Sequence, residues 1–267
     1  MRFDLVISDY DWTLGTSPAN ISEENLSAIR EFIRKGGKFS VVTGRSFSSI
    51  EDICLRHGLK VVVGCFQGAD IADLKTGKHL FTGGIDCKLG AKAVSDLLTE
   101  NYPVVAWSGD TLYYKEPSYY TEQYLGVEKV KLVQSDDVAR DILKEDKPVS
   151  KVCAVTPEEK TAEFVKKYSE KYGDTLAVNS GAKRLVEIIK PELNKGFAVR
   201  FIANYLGVPL NKVMTVGDSL NDLELMSDDW YGVAVGDGDE TLKKKAKEVT
   251  VPYTESAVAK LIRKYCL

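Results

Sequence analysis

The stretch Phe3-Asp4-Leu5-Val6-Ile7-Ser8-Asp9-Tyr10-Asp11-Trp12-Thr13 decides the fold, because it joins a short apolar run to two carboxylates. A β-rich apolar run of this length predicts a buried strand, and Asp9 and Asp11 follow directly where it ends. In open α/β sheets, ligands bind at the carboxyl edge of the strands. Neighbouring carboxylates repel each other unless a cation or a shared proton relieves them. The stretch therefore predicts a hard metal ion, Mg²⁺, and chemistry on an anionic substrate.

Strands and helices alternate along the chain after this stretch. The alternation indicates a sheet of parallel strands joined by right-handed crossovers. In the first part of the chain the pattern predicts strands at 3–8, 38–43 and 60–64, helices at 22–35 and 46–57, and a hairpin at 70–82. The alternation resumes later with strands at 184–190, 212–216 and 231–235, and with helices at 195–206, 220–227, 239–246 and 254–265.

The rhythm changes near Gly83-Gly84. Beyond it, a predicted hairpin around Ser108-Gly109-Asp110 implies antiparallel pairing, which is typical of an α+β unit rather than of a parallel sheet. We therefore predict that residues 1–83 and 186–267 form one α/β core, and that residues 84–185 are inserted into it as a second domain.

Composition excludes several classes of protein. The chain has 267 residues, of which 44% are hydrophobic, so a substantial core is expected and disorder is not. The net charge is −3 and there is no basic stripe, which argues against a nucleic-acid partner. No apolar run approaches the ~20 residues of a membrane span. The five cysteines are scattered without a CxxC pair, which predicts reduced thiols in a cytoplasmic protein.

Three further polar clusters follow predicted strands or open predicted helices. Thr43-Gly44-Arg45 offers a hydroxyl and free backbone N–H groups beside a helix start, which together can cradle an anion. Lys195 follows the candidate N-cap Asn194, where a cation is unfavourable unless an anion binds beside it. Gly217-Asp218-Ser219-Leu220-Asn221-Asp222 places its first and last Asp one helical turn apart. Each cluster alone is also typical of turns, caps or a solvated lysine, but their joint order favours a site.

In these four clusters the sequence resembles the haloacid dehalogenase-like (HAD) hydrolase superfamily, whose four motifs they match in order. The insert's size and placement, and the Gly-Asp-x-x-Asn-Asp form of the last motif, resemble subclass IIB, the Cof-like sugar-phosphate phosphatases. Gln67-Gly68-Ala69 matches in position, although Asn is commoner where Gln67 stands. Trp12 departs too, because Gly is usual there, so the loop's shape and the site's mouth are expected to differ. The resemblance implies a Rossmann-like parallel-sheet core with an inserted α+β cap.

The resemblance also implies the chemistry of the first motif. Asp9 is expected to be the nucleophile that forms an aspartyl-phosphate, and Asp11 the general acid and base. Mg²⁺ is expected to bind the Asp9 carboxylate, the Asp11 backbone carbonyl and Asp218.

The remaining roles concern the phosphoryl group and its surroundings. The resemblance implies that its oxygens are held by Thr43, the Gly44 amide, Lys195 and Asn221. Asp222 is expected to orient Lys195 or a metal-bound water. For Arg45 two interpretations are open: it meets a second anionic group of the substrate, or it pairs with Glu51 or Asp52.

The implied enzyme is a phosphoric monoester hydrolase: a Mg²⁺-dependent phosphatase of a small phosphorylated metabolite, a sugar or polyol phosphate. A phosphomutase would use the same residues, and a slow phospholigand-binding regulator could use the same scaffold. A dehalogenase is disfavoured, because it needs neither the metal nor the second Asp, whereas Asp11 and Asp218 are both present.

Overall fold

The structure is a computed structural model that describes residues 1–16, 20–125 and 130–267. In chain order its strands are β1 (Leu5–Ser8), β2 (Gly15–Thr16), β3 (Asn20–Ile21), β4 (Lys38–Val42), β5 (Val62–Cys65), β6 (Asp70–Asp73), β7 (Lys78–Thr82), β8 (Val104–Ser108), β9 (Thr111–Tyr114), β10 (Lys131–Gln134), β11 (Lys151–Val155), β12 (Ala177–Ala182), β13 (Leu185–Ile189), β14 (Val213–Gly217), β15 (Tyr231–Ala234) and β16 (Glu248–Val249).

The α-helices are α1 (Glu23–Arg34), α2 (Phe47–Arg56), α3 (Cys87–Leu98), α4 (Tyr119–Glu122), α5 (Val138–Glu145), α6 (Glu158–Tyr172), α7 (Lys195–Tyr205), α8 (Glu240–Lys245) and α9 (Ala257–Tyr265). Short 3₁₀ turns lie at Phe66–Gly68, Gly173–Thr175, Leu210–Lys212, Leu220–Leu225 and Tyr253–Glu255. In the described ranges, none of these helices has both the length and the apolar character that crossing a membrane requires.

The chain divides into two units, of which the first comprises Met1–Arg45, Ile50–Phe81 and Asn194–Leu267. Its eight-stranded sheet has the order β16-β15-β14-β1-β4-β5-β6-β7. The strands from β16 to β5 are parallel to their neighbours, and β6 turns back antiparallel to β5. Every residue of β1 is buried, as is typical of a parallel strand covered on both faces. The α/β fold class predicted from the sequence is confirmed.

The register of the central strands sets the position of the site. Ser8, the last residue of β1, lies opposite Val41 of β4 and Val216 of β14. Because the three strands run in the same direction, the chain leaves all of them at one edge of the sheet. The residues that follow β1, β4 and β14 are therefore brought together, although they are far apart in the sequence. Below that edge, α7 packs its buried face on β4 and β5.

The second unit comprises Ser46–Ser49 and Thr82–Leu193. Its six-stranded sheet has the order β10-β9-β8-β11-β13-β12, with antiparallel pairing except between β10 and β9. Its core gathers buried residues of α3, α5 and α6 with alternate residues of β8, β11 and β13. All five cysteines of the chain are buried, each as a thiol rather than in a disulfide.

The structure differs from the sequence analysis at the end of the insert. We expected the insert to end at residue 185 and the strand at 184–190 to belong to the core. In the structure β13 pairs with β11 and β12 in the six-stranded sheet, and the second unit continues to Leu193. The strand is apolar and wholly buried, so its sequence suits either sheet, and only its antiparallel partners decide. The sequence analysis also omitted the short elements β2, β3, β10, β16 and α4.

A buried ion pair joins two strands of the second unit. Lys151 Nζ donates to Glu187 Oε1 at 2.6 Å, and their side chains are 5% and 8% exposed. Cys153 lies directly opposite Glu187, so Lys151, two residues earlier, faces Glu187 diagonally on the same side of the sheet. Burial alone would lower the pKa of Lys151, but its neighbours, chiefly the Glu187 carboxylate, together outweigh burial, and the pKa lies above its usual value.

The pair predicts an asymmetric response to mutation. Lys151→Met removes the ammonium and leaves the Glu187 carboxylate buried without it, so we expect a loss of about 3–5 kcal/mol in the free energy of unfolding. The double variant Lys151→Met/Glu187→Leu removes both charges and should regain most of that loss. Urea unfolding of the three proteins measures the difference. If Lys151→Met were as stable as the wild type, the buried Glu187 carboxylate would not depend on Lys151, and this explanation would be wrong.

Candidate active site

Two carboxylates meet at the carboxyl edge of the central strands. Asp9 follows β1 and its backbone N–H donates to Val216 O at 2.9 Å, which ties it to β14. Asp218 follows β14, and Thr13 Oγ1 donates to its Oδ1 at 2.9 Å. With Asp222, these residues place carboxylate oxygens within 4.8 Å of one another. The structure thus brings together the first and last motif of the sequence analysis.

Lys195 lies between these carboxylates. It is the first residue of α7, whose N-cap Asn194 accepts from Phe197 N at 2.9 Å. The side chain is 1% exposed, and its ammonium donates to Asp9 Oδ1 at 2.7 Å and to Asp222 Oδ1 at 2.5 Å. Asn221 Oδ1 also accepts from it, at 3.3 Å. A buried cation at a helix N-terminus is costly, and these acceptors offset the cost.

The pKa of Lys195 records this balance. Burial alone would lower the pKa, but the carboxylates of Asp222 and Asp9 outweigh burial and hold the pKa above its usual value. Lys195 is therefore charged throughout the physiological range.

Asp222 is held on both of its oxygens. Its Oδ1 accepts from Lys195, and its Oδ2 accepts from the backbone N–H groups of Asp218 at 3.0 Å and Ser219 at 3.2 Å. The side chain is fully buried, and Gly217 makes room for it: a Cβ on Gly217 would lie 2.7 Å from Asp222 Cβ. Asp222 thus positions Lys195 and closes the turn after β14. A 3₁₀ turn, not the predicted α-helix, carries it, and it still faces Asp218.

The cluster holds more negative than positive charge. Burial raises the pKa of Asp9 well above its usual value, and Lys195 only partly opposes this. Burial and the neighbouring Asp222 also raise the pKa of Asp218, to about 7. Both shifts express the cost of holding close carboxylates away from water. A divalent cation would relieve that cost, and an all-oxygen donor set is the kind that Mg²⁺ prefers.

The Thr43-Gly44 turn follows β4 at the same edge. Thr43 is 1% exposed, its N–H donates to Gly64 O at 2.8 Å, and its Oγ1 accepts from Arg45 N at 3.2 Å. Gln67 covers the turn: its N–H donates to Thr43 O at 2.9 Å, and a Cβ on Gly44 would lie 2.8 Å from Gln67 Nε2. A side chain at position 44 would therefore displace the end of the Gln67 side chain, and Gln67 itself holds an unusual φ of +61°.

Arg45 pairs with Asp11, which neither interpretation of the sequence anticipated. Arg45 Nε donates to Asp11 Oδ2 at 2.8 Å and its terminal nitrogen donates to Oδ1 at 2.6 Å, a two-pronged ion pair. The guanidinium also lies over the Tyr10 ring at 5.0 Å. Asp52 pairs with Arg56 instead, at 2.7 Å. The adjacency of β1 and β4 was the signal that could have found the pair, since both residues follow those strands.

A family model described as haloacid dehalogenase-like hydrolase matches residues 6–262. Phosphatase YwpJ of Bacillus subtilis (strain 168) is 28% identical to this chain, with 97% of this chain and 98% of that protein covered. The 5-amino-6-(5-phospho-D-ribitylamino)uracil phosphatase YitU of the same organism is 26% identical, with 98% and 97% covered.

Two further matches extend this comparison. The chloroplastic endoribonuclease YBEY of Arabidopsis thaliana is 26% identical over 99% of this chain, but the chain spans only 47% of that protein's length. Among solved structures, a haloacid dehalogenase-like hydrolase from B. subtilis aligns with a TM-score of 0.85 and 25% identity, over 97% of this chain and 99% of the other.

The contact between Gly217 and Asp222 generates a prediction about stability. Gly217→Ala places a methyl group against the buried carboxylate, so we expect a loss of about 1–3 kcal/mol in the free energy of unfolding. Urea unfolding measures it, and a double-mutant cycle with Asp222→Gly supplies the control. Because Asp222→Gly removes all three side-chain atoms that the methyl group would meet, Cβ included, Gly217→Ala should cost much less in that background. Equal costs in both backgrounds would refute the steric explanation.

Proposed function

Since the chain belongs to the haloacid dehalogenase-like hydrolase family and is a phosphatase, we propose that it hydrolyses a small phosphorylated metabolite with Mg²⁺ through an aspartyl-phosphate on Asp9. The observation that carries this proposal is the buried cluster in which Lys195 lies between Asp9 and Asp222, with Asp218 beside them. That cluster combines a nucleophile, a fixed cation and surplus carboxylate oxygen in one place.

The carboxylates fit a magnesium ion by their chemistry and their charge. We assign the ion to Asp9, Asp218 and the backbone carbonyl of Asp11. Asp222 is the less suitable ligand, because both of its oxygens already accept hydrogen bonds, and we assign it the positioning of Lys195. When bound, Mg²⁺ supplies positive charge that stabilises the phosphoryl oxygens during transfer.

The nucleophile is Asp9. Lys195 holds its Oδ1 at 2.7 Å, which fixes the carboxylate, and its Oδ2 is the oxygen that attacks phosphorus. A P–O bond to Asp9 forms while the bond from phosphorus to the leaving oxygen breaks. Asp11 donates a proton to that oxygen, and the alcohol departs.

The second half of the reaction releases phosphate. Asp11, now a carboxylate, takes a proton from a water molecule, whose oxygen attacks phosphorus and breaks the bond to Asp9. In the structure both oxygens of Asp11 accept from Arg45, so Asp11 has to release one of these contacts before it can carry the proton for the leaving oxygen. A second anionic group of the substrate is the proposed alternative partner of Arg45.

The phosphoryl oxygens require donors around them. We assign this role to the Thr43 hydroxyl, the Gly44 amide, Lys195 and Asn221. The first two lie in the turn after β4, and Asn221, 3.3 Å from the Lys195 ammonium, lies in the turn after β14, so donors approach from the strand on either side of β1. Preformed donors of this kind stabilise charge without reorganisation.

For the leaving group we propose a sugar or polyol. The relative YitU is named for a substrate with a phosphoribitylamino group, and the alignment covers 98% of this chain. The named phosphatases favour hydrolysis over phosphoryl transfer within one molecule. Product analysis separates the two, because hydrolysis yields inorganic phosphate whereas a mutase yields an isomeric sugar phosphate.

The nucleophile is tested by phosphate release from 4-nitrophenyl phosphate with Mg²⁺. Asp9→Asn lacks the attacking oxygen and should lose at least about a thousandfold in kcat, which corresponds to about 4 kcal/mol of barrier. Asp4→Asn, before the opposite end of β1, is the matched control and should keep wild-type turnover. Full activity of Asp9→Asn would remove the proposed nucleophile.

The metal assignment is tested without turnover, by thermal unfolding with and without MgCl₂. An ion that binds the folded cluster raises the Tm by mass action, so wild type and Asp4→Asn should gain several degrees. Asp218→Asn removes one ligand and should lose most of that gain. A gain of the same size in Asp218→Asn would place the ion elsewhere.

A further inference from the structure

Trp12 is a large aromatic side chain held in the open between two site residues. Its side chain is 52% exposed. On one side Asp11 is paired with Arg45, and on the other Thr13 donates to Asp218 at 2.9 Å. An exposed aromatic ring at this point of the chain offers a broad apolar surface one residue from the proposed acid.

The backbone of Trp12 is held in an unfavourable conformation. Its φ is +61°, in the left-handed region that favours glycine over a residue with a Cβ. The surrounding turn enforces it: Leu14 N and Gly15 N donate to Tyr10 O at 3.1 and 2.9 Å, and Trp12 N donates to Gly15 O at 2.9 Å. Strain that the surroundings maintain in this way is typical of functional sites.

A second ring fixes the orientation of the indole. Tyr253 meets Trp12 edge to face, with ring centroids 5.5 Å apart and planes at 83°. The Tyr253 N–H donates to Asp237 Oδ1 at 3.0 Å, which fixes the turn that carries this ring. Trp12 therefore combines an open surface with a restrained position, as do the rigid aromatic anchors of binding surfaces.

We propose that Trp12 stacks on the leaving group of the substrate, and that this leaving group carries a planar ring. The inference rests on the proposed function, since it places the leaving group beside Asp11. An indole recognises a flat π surface by offset stacking, and an open-chain polyol offers no such surface. Trp12 is thus a specificity-determining residue, and the ring would be attached to the phosphorylated sugar or polyol, or would itself bear the phosphate ester.

The first test compares kcat/KM for two esters, phenyl phosphate and glycerol 3-phosphate, in wild type and two Trp12 variants. Trp12→Gly removes the ring at a φ that glycine adopts readily. It should lower kcat/KM for phenyl phosphate at least tenfold more than for glycerol 3-phosphate. Trp12→Phe retains a π surface and should keep the preference. Because each ratio is taken for one ester, differences in leaving-group reactivity cancel.

Tyr205→Ala is the control, since Tyr205 is an aromatic residue 46% exposed at the far end of α7. Tyr205→Ala should change kcat/KM, relative to wild type, by the same factor for phenyl phosphate and for glycerol 3-phosphate. Equal losses for the two esters in Trp12→Gly would overturn the inference and leave the phosphatase proposal intact. A wild-type protein that releases phosphate from neither of these esters nor 4-nitrophenyl phosphate would instead contradict the proposed function.

The second test uses fluorescence and does not require Trp12→Gly to fold. Of the three tryptophans, Trp107 and Trp230 are 0% and 2% exposed, so emission changes on binding report mainly on Trp12. In Asp9→Asn, which retains Trp12, phenyl phosphate should give a saturable emission change that glycerol 3-phosphate does not. Asp9→Asn/Trp12→Phe should lose it. An emission spectrum of Asp9→Asn that phenyl phosphate leaves unchanged would overturn the stacking assignment. An equal emission change in the double variant would also overturn it, because the ligand would then bind at a surface other than Trp12.

Discussion

The ammonium of Lys195 is the contact on which the rest of the site depends. It joins Asp9, 186 residues earlier, to Asp222, 27 residues later, and so connects the start of α7 with the ends of β1 and β14. Without this cation, three carboxylates would face one another in a buried space. With it, carboxylates still outnumber cations, and burial, only partly opposed by Lys195, raises the pKa of Asp9 and of Asp218. A further positive charge would therefore stabilise the cluster.

That excess of carboxylates gives the site its chemical character. An anionic phosphate would be repelled by carboxylates on a protein whose net charge is −3 unless positive charge is supplied locally. Lys195 supplies one charge, and a divalent cation would supply the rest. The division of labour among the carboxylates follows from their hydrogen bonds. Both oxygens of Asp222 accept hydrogen bonds, one from Lys195 and the other from the turn after β14. In Asp9 and Asp218, Oδ1 accepts from Lys195 and from Thr13, respectively.

The sequence was sufficient for the parts of the site that depend on parallel strands. Once β1, β4 and β14 were predicted, the meeting of their carboxyl ends followed from direction alone, and this brought Asp9 and Asp218 together. The sequence was insufficient where a strand or side chain has several possible partners that are distant in the chain. The apolar strand Leu185–Ile189 suits either sheet, and only its antiparallel neighbours assign it to the second unit. The Asp11–Arg45 contact was missed because the sequence analysis considered for Arg45 only a substrate anion or the acids Glu51 and Asp52 of the helix that follows it.

The loop after β1 explains why such a contact has consequences beyond itself. Its three consecutive residues bind three separate parts of the first unit: Asp11 binds Arg45 after β4, Trp12 meets Tyr253, and Thr13 binds Asp218 after β14. These attachments, with the turn's own hydrogen bonds, can hold a tryptophan at positive φ, which a loosely attached loop would relax. The same attachments hold the proposed acid, Asp11, in the segment that follows the proposed nucleophile. Leaving-group recognition and proton transfer would then depend on one rigid segment. A substitution at Trp12 should therefore change the preference among esters, and should have a smaller effect on the attack at phosphorus.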